Sequence, residues 1–187
     1  IVKILIENGA ELNSKTSDGY TPLMIGLYLT DNLQPEIVKL LLEKGAEVKA
    51  PDENNRNPIF LAISNVENSA IVSLLIENGA DINITNDDGK TPLMMALSKD
   101  KFKIAKVLIR NGAKVNITND EGKTPLILAA SRGDKEMVKN LIKRGDKINV
   151  SDNDGHTPLI KAVENNNLDI VKILIEDGTN ESDLTDA

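Results

Sequence analysis

Apolar residues along this chain fall into short stripes at helical spacing, divided by polar turns at a nearly constant interval. One apolar pair marks each stripe: Ile1-Val2, Ile37-Val38, Ile71-Val72, Ile104-Ala105, Met137-Val138 and Ile170-Val171, separated by 36, 34, 33, 33 and 33 residues. Ile1, Val2, Leu5 and Ile6 share one helical face and predict a buried stripe. Each stripe is followed by a glycine, at positions 9, 45, 79, 112, 145 and 178. Glycine takes the left-handed conformation that ends helices, so all six are expected to be stops. The last helix is then expected from Leu168 to Asp177.

A second marker keeps step with the first. Gly19-Tyr20-Thr21-Pro22-Leu23 returns as Gly89-Lys90-Thr91-Pro92-Leu93, Gly122-Lys123-Thr124-Pro125-Leu126 and Gly155-His156-Thr157-Pro158-Leu159, with a degraded copy at Asn55-Arg56-Asn57-Pro58-Ile59. The five prolines are 36, 34, 33 and 33 residues apart. Thr-Pro opens a helix well: Thr accepts from free backbone amides, and Pro lacks the donor that the first turn would leave unpaired. Between each helix-ending Gly and the next Thr-Pro lies an extended stretch and an Asn/Asp turn, such as Asn86-Asp87-Asp88-Gly89. That pattern predicts a β-hairpin-like finger joining one helix pair to the next. Self-similarity at this period means a stacked array in which each unit packs on its neighbours.

Composition narrows the function. With 2 % aromatic residues, the apolar mass is aliphatic, which suits thin helical layers. A net charge of −7 argues against duplex nucleic acid as the ligand, because phosphate binding needs clustered Lys and Arg. The chain has no cysteine, which removes disulfides, thiolate metal sites and a Cys nucleophile. No apolar run reaches the roughly 18–20 residues of a membrane span, so no membrane insertion is expected.

Gly-x-Thr-Pro-Leu, a following Ala-Ala, and Ile-Val-x-x-Leu-Leu-x-x-Gly-Ala-x-x-Asn at a 33-residue period resemble the ankyrin repeat. The resemblance covers nearly the whole chain and implies an all-α repeat solenoid, a stack of antiparallel helix pairs joined by fingers. Residues 1–187 are expected to form a single array: a half repeat at 1–15, full repeats from about 16, 52, 86, 119 and 152, and a polar, frayed tail at 179–187. Three extra residues fall around Thr30 to Pro35, and one more near Val66 to Asn68. Members usually carry His after Thr-Pro-Leu, tying one finger to the next. Here those positions are Met24, Phe60, Met94, Ile127 and Ile160, so apolar packing has to substitute. Neither end has the polar outer face of a terminal unit, which predicts a longer array in the parent protein. Asn83, Asn116 and Asn149 occupy the position that eukaryotic members can hydroxylate.

Candidate chemistry fails on spacing. Gly89-Lys90-Thr91 and Gly122-Lys123-Thr124 look like the end of a P-loop, but Ile84 and Ile117 stand where its first Gly is required. The acidic turns lack the outer oxygen ligands of a calcium loop, where Val150, Ile84 and Ile117, then Lys161, Met95 and Leu128, stand instead. His156 is the only histidine, and its equivalents Tyr20, Arg56, Lys90 and Lys123 vary as an exposed finger position would. No catalytic residue, metal or cofactor is assigned.

The reading is a non-catalytic scaffold that binds another protein through finger tips and a concave groove. The alternative is an ankyrin segment of a larger enzyme, channel or secreted effector. At the fingers the candidate contacts are Asp18, Tyr20, Glu53, Arg56, Asp87, Asp88, Lys90, Asp120, Glu121, Lys123, Asn153, Asp154 and His156. In the groove they are Tyr28, Leu29, Lys99, Arg132 and Glu164. Tyr20, Tyr28 and Leu29 are the sharpest, because exposed aromatic anchors dominate interface energy. The acidic tips beside Lys90 and Lys123 favour a partner of mixed charge or with a basic patch. The chain is expected to be monomeric, and cytoplasmic or, as an effector, delivered into a host cell.

Overall fold

The computed structural model describes residues 2–28, 35–53, 56–65 and 68–182, with side chains through residue 178. The described residues form eleven helices and no strand. They fall into two compact units, residues 1–86 and 87–187. The first holds α1 (Val2–Glu7), α2 (Pro22–Tyr28), α3 (Pro35–Glu43), α4 (Pro58–Asn65) and α5 (Ser69–Glu77). The second holds α6 (Pro92–Ser98), α7 (Phe102–Arg110), α8 (Pro125–Arg132), α9 (Lys135–Lys143), α10 (Pro158–Glu164) and α11 (Leu168–Ser182). After the lone α1, these are five helix pairs.

Each first helix opens as its Thr-Pro predicts. The hydroxyl oxygens of Thr21, Thr91, Thr124 and Thr157 accept from the amides of Met24, Met94, Ile127 and Ile160 at 3.2–3.3 Å. Where the motif is degraded, Asn57 Oδ1 accepts from the Ile59 amide instead, at 3.3 Å. Within the first unit α2 packs on α3 and α4, and α5 on α3 and α4; within the second α8 packs on α6, α9 and α10, and α11 on α9 and α10. First helix against first helix is the contact that stacks one repeat on the next. The cores are aliphatic: Leu23, Leu27, Ile59, Ile63 and Leu75 in one unit, Leu93, Leu97, Ile104, Leu108 and Leu126 in the other, all essentially inaccessible. Met24, Phe60, Met94 and Ile127, standing in the usual His position, are buried with them, while Ile160 is 40 % exposed. Apolar packing does substitute, except in the last repeat.

The fingers differ from hairpins of two strands. Four of them are tight turns closed by main chain, the Thr16, Asp52, Asn119 and Asp152 amides donating to the carbonyls of Tyr20, Arg56, Lys123 and His156 at 3.0–3.1 Å. A side-chain oxygen at the first position closes the same turn from the other side: Asp52, Asn119 and Asp152 Oδ1 each accept from the amide four residues on, at 2.8 Å. These side-chain bonds satisfy the amides locally, so no ladder has to form.

Two expectations are corrected. Gly178 does not stop its helix: α11 continues to Ser182, so the first part of the expected frayed tail is helical. The other helix-ending glycines reach φ between 85° and 91°. There the turn is anchored by a buried apolar residue three positions on, as with Val48, Ile82, Val115 and Ile148. After Gly178 that position is Glu181, with no apolar side chain to pull the backbone out of the helix. The stripe expected on α1 is also not buried. None of the described residues of α1 is buried, and Leu5 is 56 % exposed, because the half repeat supplies no first helix to cover it. The insertion at 30–34 and the extra residue near 66–67 lie outside the described residues.

Candidate functional site

Finger tips in the second unit are stacked by main chain and glycine. The amides of Asp120 and Asn153 donate to the carbonyls of Asp88 and Glu121 at 3.2 and 3.0 Å, and Asn153 Nδ2 donates to the Asp120 carbonyl at 2.9 Å. Each tip sits directly against the glycine of the preceding finger. A Cβ on Gly122 would lie 2.4 Å from Asn153 Oδ1, and one on Gly89 2.3 Å from Asp120 Oδ1. The first unit repeats the contact with Gly19 and the Glu53 backbone at 2.7 Å. Glu53, Asp120 and Asn153, read in the sequence as variable contact residues, therefore also hold one finger on the next. Asn116 adds a tie behind the tips: its side chain accepts from the Lys147 amide at 3.0 Å and donates to the Gly145 carbonyl at 2.7 Å.

Inside the fingers of the second unit lies an open cleft of about 290 Å³, lined by Lys90, Ser98, Asn119, Glu121, Lys123, Ile127, Leu128, Ser131, Arg132 and Lys161. It brings together four of the sequence candidates, Lys90, Glu121, Lys123 and Arg132. Each cation is held by a carboxylate: Lys90 by Asp88 at 3.4 Å, Arg132 by Asp100 at 3.6 Å, and Lys161 by Glu164 at 2.8 Å. Lys123 pairs with Glu121, which raises the lysine above its ordinary pKa and lowers the glutamate below its own. Arg132 also donates to the Ser98 carbonyl at 2.7 Å. Lys161 is the cleft cation that sequence reading passed over; its register, three residues after the helix-opening Pro, is shared with Met95 and Leu128 and was a usable signal.

His156 stands between two carboxylates, with Nδ1 3.3 Å from Asp152 Oδ1 and Nε2 3.5 Å from Glu164 Oε1. Asp152, Asp154 and His156 each bring one potential ligand atom within 4.8 Å of the others. Asp152 Oδ1 is already used by the amides of Asp154 and His156. The same acid position in the first unit, Asp52, holds Arg56 by Nε at 2.7 Å, so an acid closing the turn recurs beside a nitrogen-bearing side chain four residues on. Asp18, Asp87 and Lys99 are exposed and take no part in the cleft.

In the first unit the structure gathers Tyr20, Tyr28 and Arg56. The two rings meet edge-on at 6.2 Å, the Arg56 guanidinium lies 5.4 Å from the Tyr20 ring centre, and Arg56 donates to the Tyr20 hydroxyl. Its hydrogen bond to Asp52 comes first among the causes that raise the guanidinium pKa further. Tyr28 remains 58 % exposed. Leu29 lies outside the described residues.

One buried charge was missed entirely. Asp146 is 1 % exposed and stands where earlier repeats have Ala10, Ala46, Ala80 and Ala113. Its Oδ2 accepts from the Leu126 amide at 2.9 Å. Burial pushes its pKa up to about 7, against the opposing pull of the Leu126 and Lys147 amides. The break in the Gly-Ala series, Gly145-Asp146, was the visible signal.

The sequence model of the family described as ankyrin repeats (3 copies) matches residues 1–52, 29–119 and 93–186. This chain belongs to the ankyrin repeat family. No curated protein matches it. Ankyrin repeats are in general protein-interaction modules on a typically non-catalytic fold, and no described helix of this one is long and apolar enough to cross a membrane.

Proposed function

We propose that this chain is a non-catalytic scaffold that binds a partner protein through the inner face of its fingers and first helices. The observation that carries this reading is the cleft of the second unit, where residues that differ between otherwise similar repeats line one open surface. Ankyrin units are built alike for stacking, so positions that vary are free to serve recognition. The Tyr20–Tyr28–Arg56 group gives the first unit residue types that dominate interface energy. Within this reading residues 1–187 act as one array, since both markers cross position 86 in step, the prolines at 34 residues and the apolar pairs at 33.

The test is a pull-down from the source cell, or its host, with wild type, Tyr28→Ala and Arg132→Ala. A protein held by wild type and lost by a variant with unchanged circular dichroism supports the scaffold. Retention of the same proteins by all three sinks the assignment of these faces. The segment reading, in which chemistry lies elsewhere in a larger protein, is compatible with the same surface and is separated by reading the parent open frame.

A further inference from the structure

We infer that the cleft of the second unit receives an acidic side chain, a Glu or Asp in a peptide segment of the partner, and this rests on the scaffold reading above. In a chain of net charge −7, the cleft lining is inverted: Lys90, Lys123, Arg132 and Lys161 against the single carboxylate of Glu121. The balancing acids stand outside it, with Asp88, Asp100 and Glu164 all roughly half exposed or more. The lysine side chains are instead drawn in, those of Lys90, Lys123 and Lys161 being 25, 30 and 19 % exposed, while Arg132 stands nearly as far out as the acids. A guest entering the cleft passes the more exposed carboxylates first and meets the less exposed ammonium groups beyond them.

Three occupants compete on physical grounds. A basic side chain is repelled by four cations at close quarters. An apolar one would strip water from charged groups and return little, since polar groups dominate the lining. A carboxylate finds several donors already ordered by their own ion pairs, so less side-chain freedom is lost on binding. A phosphate fits less well than a carboxylate: only one of the four cations is an arginine, and a dianion asks for more positive charge than cations that each already hold a carboxylate can supply. The volume of about 290 Å³ is at the bottom of the range for small-molecule sites, and suits one or two inserted side chains. Rim acids then favour basic residues flanking the acid, so the recognised segment has an acidic centre and basic flanks.

The experiment is selection of a random twelve-residue peptide library displayed on phage, against wild type and Lys123→Gln/Lys161→Gln. Both changed side chains are partly buried in the cleft, and circular dichroism verifies that the variant folds. Expected are wild-type peptides sharing an acidic position, lost with the variant. In a synthetic copy, Glu→Gln at that position weakens binding about tenfold, and added salt weakens it further. Lys123→Glu, a second variant, shifts selection toward basic peptides. Peptides without a fixed acid, phosphopeptide preference in a follow-up array, or acidic peptides indifferent to both variants overturn the inference while leaving peptide binding intact. No enriched peptide at all removes both this inference and the scaffold reading beneath it.

Discussion

Asp146 is where one residue most changes the energetics. Its carboxyl titrates near 7 folded and near 3.8 unfolded, so between those values the folded chain binds more protons. Stability therefore falls as pH rises through that window, by about 3 kcal/mol between pH 5 and 8 from this group alone. Asp146→Asn keeps an acceptor for the Leu126 amide without the charge. Thermal melts should show the variant gaining over wild type at pH 8 and much less at pH 5; an equal gain at both pH values would refute the buried charge. Gly122 gives a second test. Gly122→Ala forces a left-handed φ of 74° on alanine and drives its Cβ into the Asn153 backbone, 2.9 Å from the amide nitrogen. Gly155→Ala has a comparable φ of 81° and open space. Both lose about 1 kcal/mol to backbone strain, and Gly122→Ala should lose on the order of 1–2 kcal/mol more. Equal losses in denaturant titrations would mean the fingers are not seated on each other.

At the scale of the element, the helix starts were legible and the last helix end was not. Thr-Pro works through bonds within four residues, so local sequence determines it, and Thr124→Ala should lose about 1 kcal/mol with its cap. A glycine, by contrast, permits a helix stop without enforcing one. Gly145 takes φ 85° and Gly178 lies inside α11, although both follow a similar helix. Gly178→Ala should therefore stabilise by about 0.5–1 kcal/mol, and Gly145→Ala should destabilise by a similar amount. The same sign for both in urea titrations would return Gly178 to its expected role as a stop. On α1 the stripe was correctly periodic, yet periodicity says which face is apolar and not whether anything covers it.

Over the whole molecule, repeats transmit changes mainly to their neighbours. Leu108→Ala removes a side chain with 0 % exposure from the second unit. It is expected to cost about 2–5 kcal/mol. Hydrogen exchange should speed most in α6 to α9 and least in α2 and α3. Uniform acceleration would show one cooperative block in place of a nearest-neighbour array.

The sequence by itself determined the repeat period, the helix pairs, the caps and the ankyrin family, because these follow from local propensity repeated five times. It also named Lys90, Glu121, Lys123 and Arg132 as variable positions, without showing that they line one cleft. Only the tertiary structure decided that. Residues 90, 123, 132 and 161 meet because stacking sets the fingers and first helices of successive repeats side by side, a relation absent from any single repeat. The same packing made a buried acid of Asp146 and a seat for the next finger of Gly122, since burial belongs to the neighbours of a residue and not to the residue alone.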